Sequence, residues 1–192
     1  MGVIMEGWNQ IEAAVLIWIQ ENIRTELLDK LMIFLSAINN SGMIAIVAVI
    51  LLLIWRRYRH VGVAAFASLF VEFIFVNVFL KNLVQRTRPY VVNEALTLLG
   101  DMPSDFSFPS GHTGSAFAVA VVMYLCMPRK YGISALVIAA LVALSRIYNG
   151  AHYPTDVLGA LAIAILTGVL AWRLVYPWAE KWLHKAEDAK KE

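Results

Sequence analysis

The stretch SRIYNGAHYPTD, residues 145–156, sets an arginine, a histidine and an aspartate between two apolar runs. ISALVIAALVALSRIY (133–148) precedes it and DVLGALAIAILTGVLAWRLVY (156–176) follows, each near the roughly 20 residues that carry a helix across a bilayer. Two such runs joined by a short polar turn read as neighbouring membrane helices. A charge at the end of an apolar span is costly unless it is paired or at work. Fold and chemistry are therefore posed by the same twelve residues.

The composition agrees with a membrane setting. Of 192 residues, 60% are hydrophobic and 16% charged, with a mean hydropathy of +0.67. Soluble domains run nearer half apolar and a quarter charged. A formal net charge of +2 is too mild to point to nucleic acid, so no nucleic-acid partner is expected. The one cysteine, Cys126, lies in an apolar run and cannot form an internal disulfide. The start, MGVIMEGWNQ, lacks the basic region of a cleaved signal peptide, and Glu6 stands where a myristoylation motif has Ser or Thr. The chain is expected to be held by its own helices.

Working outward, three more apolar runs appear at 41–55, 61–80 and 113–127, making five spans. WNQIEAAVLIWIQ and LLDKLMIFLSAI, earlier in the chain, are too short to span and are interrupted by Glu21, Arg24, Glu26, Asp29 and Lys30. They fit amphipathic helices lying at the interface, with a sixth, distorted span as the alternative. The expected fold class is all-α, a polytopic transmembrane bundle of five to six spans. Residues 1–40 form interfacial helices, 41–178 the transmembrane core and 179–192 a charged tail. With five spans, RRYRH (56–60), PRKYG (128–132) and the tail share one face. Their excess of Arg and Lys assigns that face to the cytoplasm. The segments 81–112 and 149–155 share the extracytoplasmic face.

Three polar clusters fall on that second face. In KNLVQRTRP (81–89), Lys81 and Arg88 are seven apart, nearly two helical turns, and would lie on one side about 10 Å apart if the helix persisted. Pro89 biases Arg88 away from helical backbone. Interfacial snorkelling explains two such cations as readily as a site does. In FPSGHTGSAF (108–117), Ser110 and Gly111 lead into a helix with His112 in its first turn. Free backbone N–H groups and the positive helix end there suit an anion, and an ordinary serine cap is the plainer reading. In the opening stretch, Pro154 followed by Asp156 is a normal helix start. It leaves His152 in the loop, within reach of Asp156. A carboxylate so placed would fix the imidazole tautomer and leave the other ring nitrogen free to attack. A lone His–Asp pair is more often structural, but three cations, two histidines and an aspartate at one depth are harder to explain that way.

Lys81-x6-Arg88-Pro89, Pro109-Ser110-Gly111-His112 and Ser145-Arg146-x5-His152-x3-Asp156 together resemble, position for position, the three motifs of the type 2 phosphatidic acid phosphatase family. Its superfamily includes bacterial acid phosphatases and vanadium haloperoxidases. The resemblance covers roughly residues 40–176 and implies a helical bundle that dephosphorylates lipids near one membrane face, with no metal or other cofactor. It implies His152 as the nucleophile that forms a phosphohistidine and Asp156 as its orienting partner. His112 would be the acid for the leaving oxygen and then the base for water. Lys81, Arg88, Arg146, Ser110 and the Gly111 amide would cradle the phosphate. The implied partners are membrane lipids and a lipid phosphate or diphosphate. A polyprenyl diphosphate such as undecaprenyl diphosphate is favoured, with phosphatidylglycerophosphate, phosphatidic acid and diacylglycerol pyrophosphate as alternatives.

Other polar residues read more plainly. Arg86 is off the Lys81–Arg88 side and is expected to meet lipid headgroups. Glu72, half a turn out of phase with Lys81, suits a helix-packing or oligomer contact. Asn77, one turn before Lys81, is a candidate hydrogen-bonding neighbour of the site. His60 and His184 fall on the opposite face. The loop 90–108 is the least constrained part of the chain.

Overall fold

A computed structural model describes residues 2–188, with side chains described over 7–183 and at 185. The expectation for His184 and for the end of the charged tail lies outside these described residues. The described backbone is all-helical and carries no strand. Helices α1 (Gly2–Asn22), α2 (Glu26–Ala37), α3 (Met43–Ile54) and α4 (Arg59–Phe73) come first. Helix α4 continues through a π-helical stretch, Ile74–Leu80, into the short α5 (Lys81–Val84). After the single turn α6 (Pro89–Val92) follow α7 (Gly111–Cys126), α8 (Arg129–Tyr148) and α9 (Pro154–Leu170). A second π segment, Ala171–Val175, joins α9 to α10 (Tyr176–Asp188).

Helix α7 is the centre of the bundle, flanked by α3, α4, α8 and α9. Gly114, Ser115, Ala116, Ala118 and Ala120 line its buried surface, and small side chains let neighbouring helices approach closely in an apolar setting. The outward faces carry exposed Phe66, Phe70, Ile138, Leu166 and Leu170, as lipid-facing helices do. Val61, Ala64, Ala65, Val119 and Val122 fill the interior between α4 and α7.

Among the described residues, three helical stretches are long and apolar enough to cross a membrane: Arg56–Val92, Arg129–Tyr148 and Pro154–Leu183. A fourth arises if Glu26–Ala37 and Asn40–Ile54, bent by 44° at their break, count as one span. Helix α7 has 16 residues, fewer than a bilayer asks for. The expected run at 41–55 is interrupted because Ser41 and Gly42 adopt left-handed backbone, with φ of 54° and 72°, ahead of α3.

The alternation of helices fixes where the chemistry can be. Helix α5 ends, α7 begins, α8 ends and α9 begins at one end of the bundle. The α3–α4 and α7–α8 connections, with Arg56, Arg57, Arg129 and Lys130, lie at the other. The N-terminal helices are tied to the site end by polar contacts. Arg24 donates to the carbonyls of Thr97 and Tyr148, both at 2.9 Å, and the Tyr148 hydroxyl donates to Asp29 at 2.7 Å.

Candidate active site

His152 owes its position to how α8 stops and α9 starts. Gly150 turns the chain at a φ of +72°, and the amides of Ala151 and His152 bond back to the Arg146 carbonyl at 3.1 and 3.3 Å. Pro154 then opens α9, and Asp156 in its first turn accepts from the Tyr153 amide at 2.9 Å. The same oxygen, Oδ2, accepts from Ser107 at 2.5 Å and stands 3.5 Å from His152 Nδ1. That last distance is long for a hydrogen bond, and Nδ1 has no closer partner.

The other ring nitrogen, Nε2, lies 3.3 Å from Arg88 Nη1. A guanidinium can only donate, so Nε2 accepts and the ring proton belongs on Nδ1, facing Asp156. Desolvation pushes the imidazole down to about 4, outweighing the lift from the Asp156 hydrogen bond, so the ring is neutral at pH 7. The unprotonated Nε2 thus faces the cationic side of the site.

Lys81 and Arg88 do not share one helix. Gln85, at a φ of 50°, ends α5, and Arg88 takes the extended conformation that Pro89 imposes. The two cations nevertheless converge, because both hold Asp105. Lys81 Nζ pairs with Oδ2, and Arg88 Nη2 donates to Oδ1 at 2.6 Å. Burial works to raise the Asp105 carboxyl, but the hydrogen bonds and charges of Lys81 and Arg88 outweigh it and hold it at about 2. Asp105 thereby marks where an anion sits between them. Arg146 is buried nearby, with Nη1 bonded to Ser36 and Nε without a partner.

Ser110 caps α7, its Oγ accepting from the Thr113 hydroxyl at 3.1 Å and the Thr113 amide at 3.5 Å. A side chain at Gly111 would meet Asn77 Oδ1 at 2.8 Å, and one at Gly114 would strike Glu72 Oε1. His112 Nε2 lies 3.1 Å from Asn40 Oδ1, and Asn40 donates on to Asp101 at 3.0 Å. Asn39 bonds the His112 carbonyl at 3.0 Å.

Two cavities meet at Asp105 and His112. One, of about 530 Å³, is walled by Ile46, Phe66, Phe70 and Phe73 and reaches Asn77 and Lys81. The other, of about 400 Å³, is lined by Ser36, Asn40, Asp101 and Arg146 among others. The arrangement can hold a phosphate beside a neutral imidazole, with an apolar channel on one side and a polar vestibule on the other.

All eight residues singled out by sequence lie at this end of the bundle: Lys81, Arg88, Ser110, Gly111, His112, Arg146, His152 and Asp156. Arg86 departs from its expected place among lipid headgroups. It is buried, and its Nη1 donates to Asp156 Oδ1 at 2.6 Å, because the chain leaves helical geometry at Gln85 and redirects it inward. Glu72 is fully buried without a hydrogen-bond partner and lines the larger cavity with Asn77 and Lys81. The wider turns of the π segment alter the phase that a regular helix would give. Asp105, Ser36, Asn39, Asn40 and Glu12 were not found by sequence reasoning. No spacing signals them, and Asp105 is one of three acidic residues in the 90–108 loop, with Glu94 and Asp101.

The PAP2 superfamily model matches residues 59–180. Undecaprenyl-diphosphatase BcrC of Bacillus subtilis is 35% identical over 154 residues, covering 76% of this chain and 74% of that protein. The crystal structure of Aquifex aeolicus LpxE superposes with a TM-score of 0.73 at 27% identity, covering 83% of this chain and 94% of the other. That of a transmembrane PAP2-type phosphatidylglycerolphosphate phosphatase from Bacillus subtilis gives 0.67 at 25%, covering 93% and 87%.

Proposed function

The chain belongs to the PAP2 superfamily, and from that premise we propose that it is a membrane lipid phosphatase acting on undecaprenyl diphosphate. It releases the lipid monophosphate and inorganic phosphate. The observation that carries this reading is the convergence of Lys81 and Arg88 on one carboxylate, beside the unprotonated Nε2 of His152. A terminal phosphoryl group taking the place of Asp105 would meet both cations and the lone pair at once. The similarity to an undecaprenyl-diphosphatase over three quarters of each chain supports the choice of substrate.

In this mechanism His152 Nε2 attacks the terminal phosphorus in line, and the bond to the lipid-monophosphate oxygen breaks. His112 protonates that oxygen. Asp156 stabilises the imidazolium character that His152 acquires as the phosphohistidine forms. Water then attacks phosphorus, His112 takes its proton, and the N–P bond breaks to return neutral His152. Lys81, Arg88 and Arg146 neutralise the phosphoryl oxygens throughout, which is the main demand of phosphoryl transfer. Ser110 and the Gly111 amide complete the cradle at the start of α7.

The same reading takes residues 41–178 as the transmembrane core with five spans and α1–α2 as interfacial helices. Within it the described end of the chain, α10, carries the charged residues beyond the core, and the site faces outward. Short helices such as α7 borrow length from their flanks. A phosphatidylglycerophosphate substrate is the second reading, favoured by the fold shared with a phosphatase of that lipid.

Phosphate release by the purified protein in EDTA tests the proposal, with undecaprenyl diphosphate and phosphatidylglycerophosphate compared by kcat/KM. A clear preference for the diphosphate is expected. Preference for the glycerophosphate lipid would move the assignment to the second reading, and inactivity on both would reject it.

A further inference from the structure

Arg86 lies outside the phosphate cradle yet is bonded along its whole guanidinium. Nη1 donates to Asp156 Oδ1 at 2.6 Å and to Thr155 Oγ1 at 2.7 Å. Nη2 donates to Glu12 Oε2 at 2.5 Å and to Asn9 Oδ1 at 2.6 Å. The ring of Tyr153 covers its face, 4.0 Å from the guanidinium carbon. Glu12 also accepts from the Thr155 amide at 2.7 Å and the Thr155 hydroxyl at 2.8 Å, so α1 caps the start of α9. Arg86, Glu12 and Asp156 are all buried. A row therefore runs Glu12–Arg86–Asp156–His152, with one cation shared by two carboxylates and the imidazole at its end.

Sharing has a consequence. A buried carboxylate without its counter-charge is left uncompensated and free to turn, and its negative charge then falls more heavily on the imidazole beside it. Three bonds hold the Asp156 carboxylate, from Arg86 at Oδ1 and from Ser107 and the Tyr153 amide at Oδ2, which aims Oδ2 at His152 Nδ1. Glu12 competes for the same guanidinium. We infer that Arg86 is a positioning residue for His152, holding Asp156 compensated and aimed, and that Glu12 on α1 sets how much of the Arg86 charge Asp156 receives.

This rests on the reading of His152 as nucleophile, but its test does not require turnover. The charged and titratable groups facing His152 are Arg88 at Nε2, Arg146 and His112 across the cradle, and Asp156 at Nδ1 with Arg86 and Glu12 behind it. Changing the row leaves the cradle groups in place. Removing the cation in Arg86→Gln leaves the Asp156 carboxylate less compensated, so His152 holds a proton to higher pH, by about one unit. Glu12→Gln removes the competitor and moves His152 the other way. A simple structural tie between α1 and α9 would weaken in both variants without opposite electrostatic signs.

The experiment is nitrogen-15 NMR of the full chain, labelled at histidine in detergent micelles, with His152 assigned by its loss in His152→Ala. It is run beside kcat and KM for undecaprenyl diphosphate. The His152 midpoint is expected to rise in Arg86→Gln and fall in Glu12→Gln. In Arg86→Gln, kcat should drop about 10²-fold through misplacement while KM holds. Arg86→Lys should keep the midpoint and recover part of kcat. Midpoints that stay put, or move together, would overturn the inference. If Arg86→Gln does not fold, Glu12→Gln decides alone, since Gln keeps an acceptor for Thr155: a fall supports the inference and no change refutes it. Absence of turnover by wild type on any lipid phosphate would reject the proposed function, and the two midpoints would still judge the row.

Discussion

Arg88 donates from Nη2 to Oδ1 of Asp105 across 2.6 Å, while Lys81 holds the other oxygen of the same carboxylate. A substrate phosphate must replace that carboxylate to reach both cations. Asp105 is half-exposed, so each pair contributes on the order of 0.2–1 kcal/mol. Asp105→Asn should therefore tighten binding of vanadate, a phosphate mimic, by about threefold to fivefold. Inhibition constants measured in both proteins check this. Weaker vanadate binding would instead assign Asp105 to holding the two cations in shape.

His152 and His112 should fail differently. His152→Ala removes the atom that attacks and should abolish turnover. His112→Ala removes a general acid and base, a loss of about 10²–10⁴-fold, and should leave an acid-labile phosphoprotein behind. Phosphorus-31 NMR after mixing with substrate would detect the trapped phosphohistidine. Appreciable turnover by His152→Ala would rule out the covalent route.

The acid limb of kcat/KM should fall near pH 4, where His152 takes a second proton. Asp105, held at about 2, stays ionised throughout that range. The sign follows from the depressed imidazole. Its neutral form serves the reaction above about 4, and activity is lost as pH falls through that value. The substrate phosphate titrates near 6 and gives a separate limb shared by all variants. Stability moves in parallel: the unfolded chain binds this proton near 6.5, so the fold loses stability as pH drops from there toward 4. A pH profile and acid-unfolding curves for wild type and His152→Ala measure both.

Arg146→Lys keeps the charge but not the planar fork. With Nη1 already committed to Ser36 and Nε unpartnered, the remaining donors are available to a phosphate. Loss of one charge-assisted bond costs about 1.5–3 kcal/mol, so kcat/KM should fall roughly 10–100-fold. Steady-state kinetics decide, and wild-type values would make Arg146 a structural residue.

Sidedness is tested with an impermeant maleimide on intact cells, in a Cys126→Ser background. A single cysteine at Glu94, exposed near the site end, should label. One at Arg129, exposed at the opposite end, should label after the membrane is opened. The reverse pattern would turn the site toward the cytoplasm and favour phospholipid biosynthesis over recycling of a carrier lipid.

Much of this is legible in the amino-acid sequence. Apolar runs mark α8 and α9 closely because hydropathy over twenty residues is a strong signal. Lys81, Arg88, His112, Arg146 and His152 carry fixed spacings that reflect local backbone: a proline after Arg88, a cap before His112, a proline after His152. What escaped has no local signature. Glu12 meets Thr155 across 143 positions, and Ser36 meets Arg146 across 110, pairings created by tertiary packing alone. Arg86 was misplaced by assuming a regular helix, which Gln85 ends. The π segment escaped likewise, since its sequence, IFVNVFL, reads as any apolar helix.

The larger cavity opens between exposed Phe66, Phe70 and Phe73, side chains that belong in hydrocarbon, while its inner end reaches Lys81 and His112. A substrate entering there travels within the plane of the bilayer, and its abundance is a surface density. Bulk molarity is then the wrong variable for this enzyme. In detergent, adding micelles at fixed total substrate dilutes the lipid phosphate among them and slows the reaction, with no change in any residue of the site. Rates should collapse onto one curve when plotted against mole fraction of substrate in the micelle.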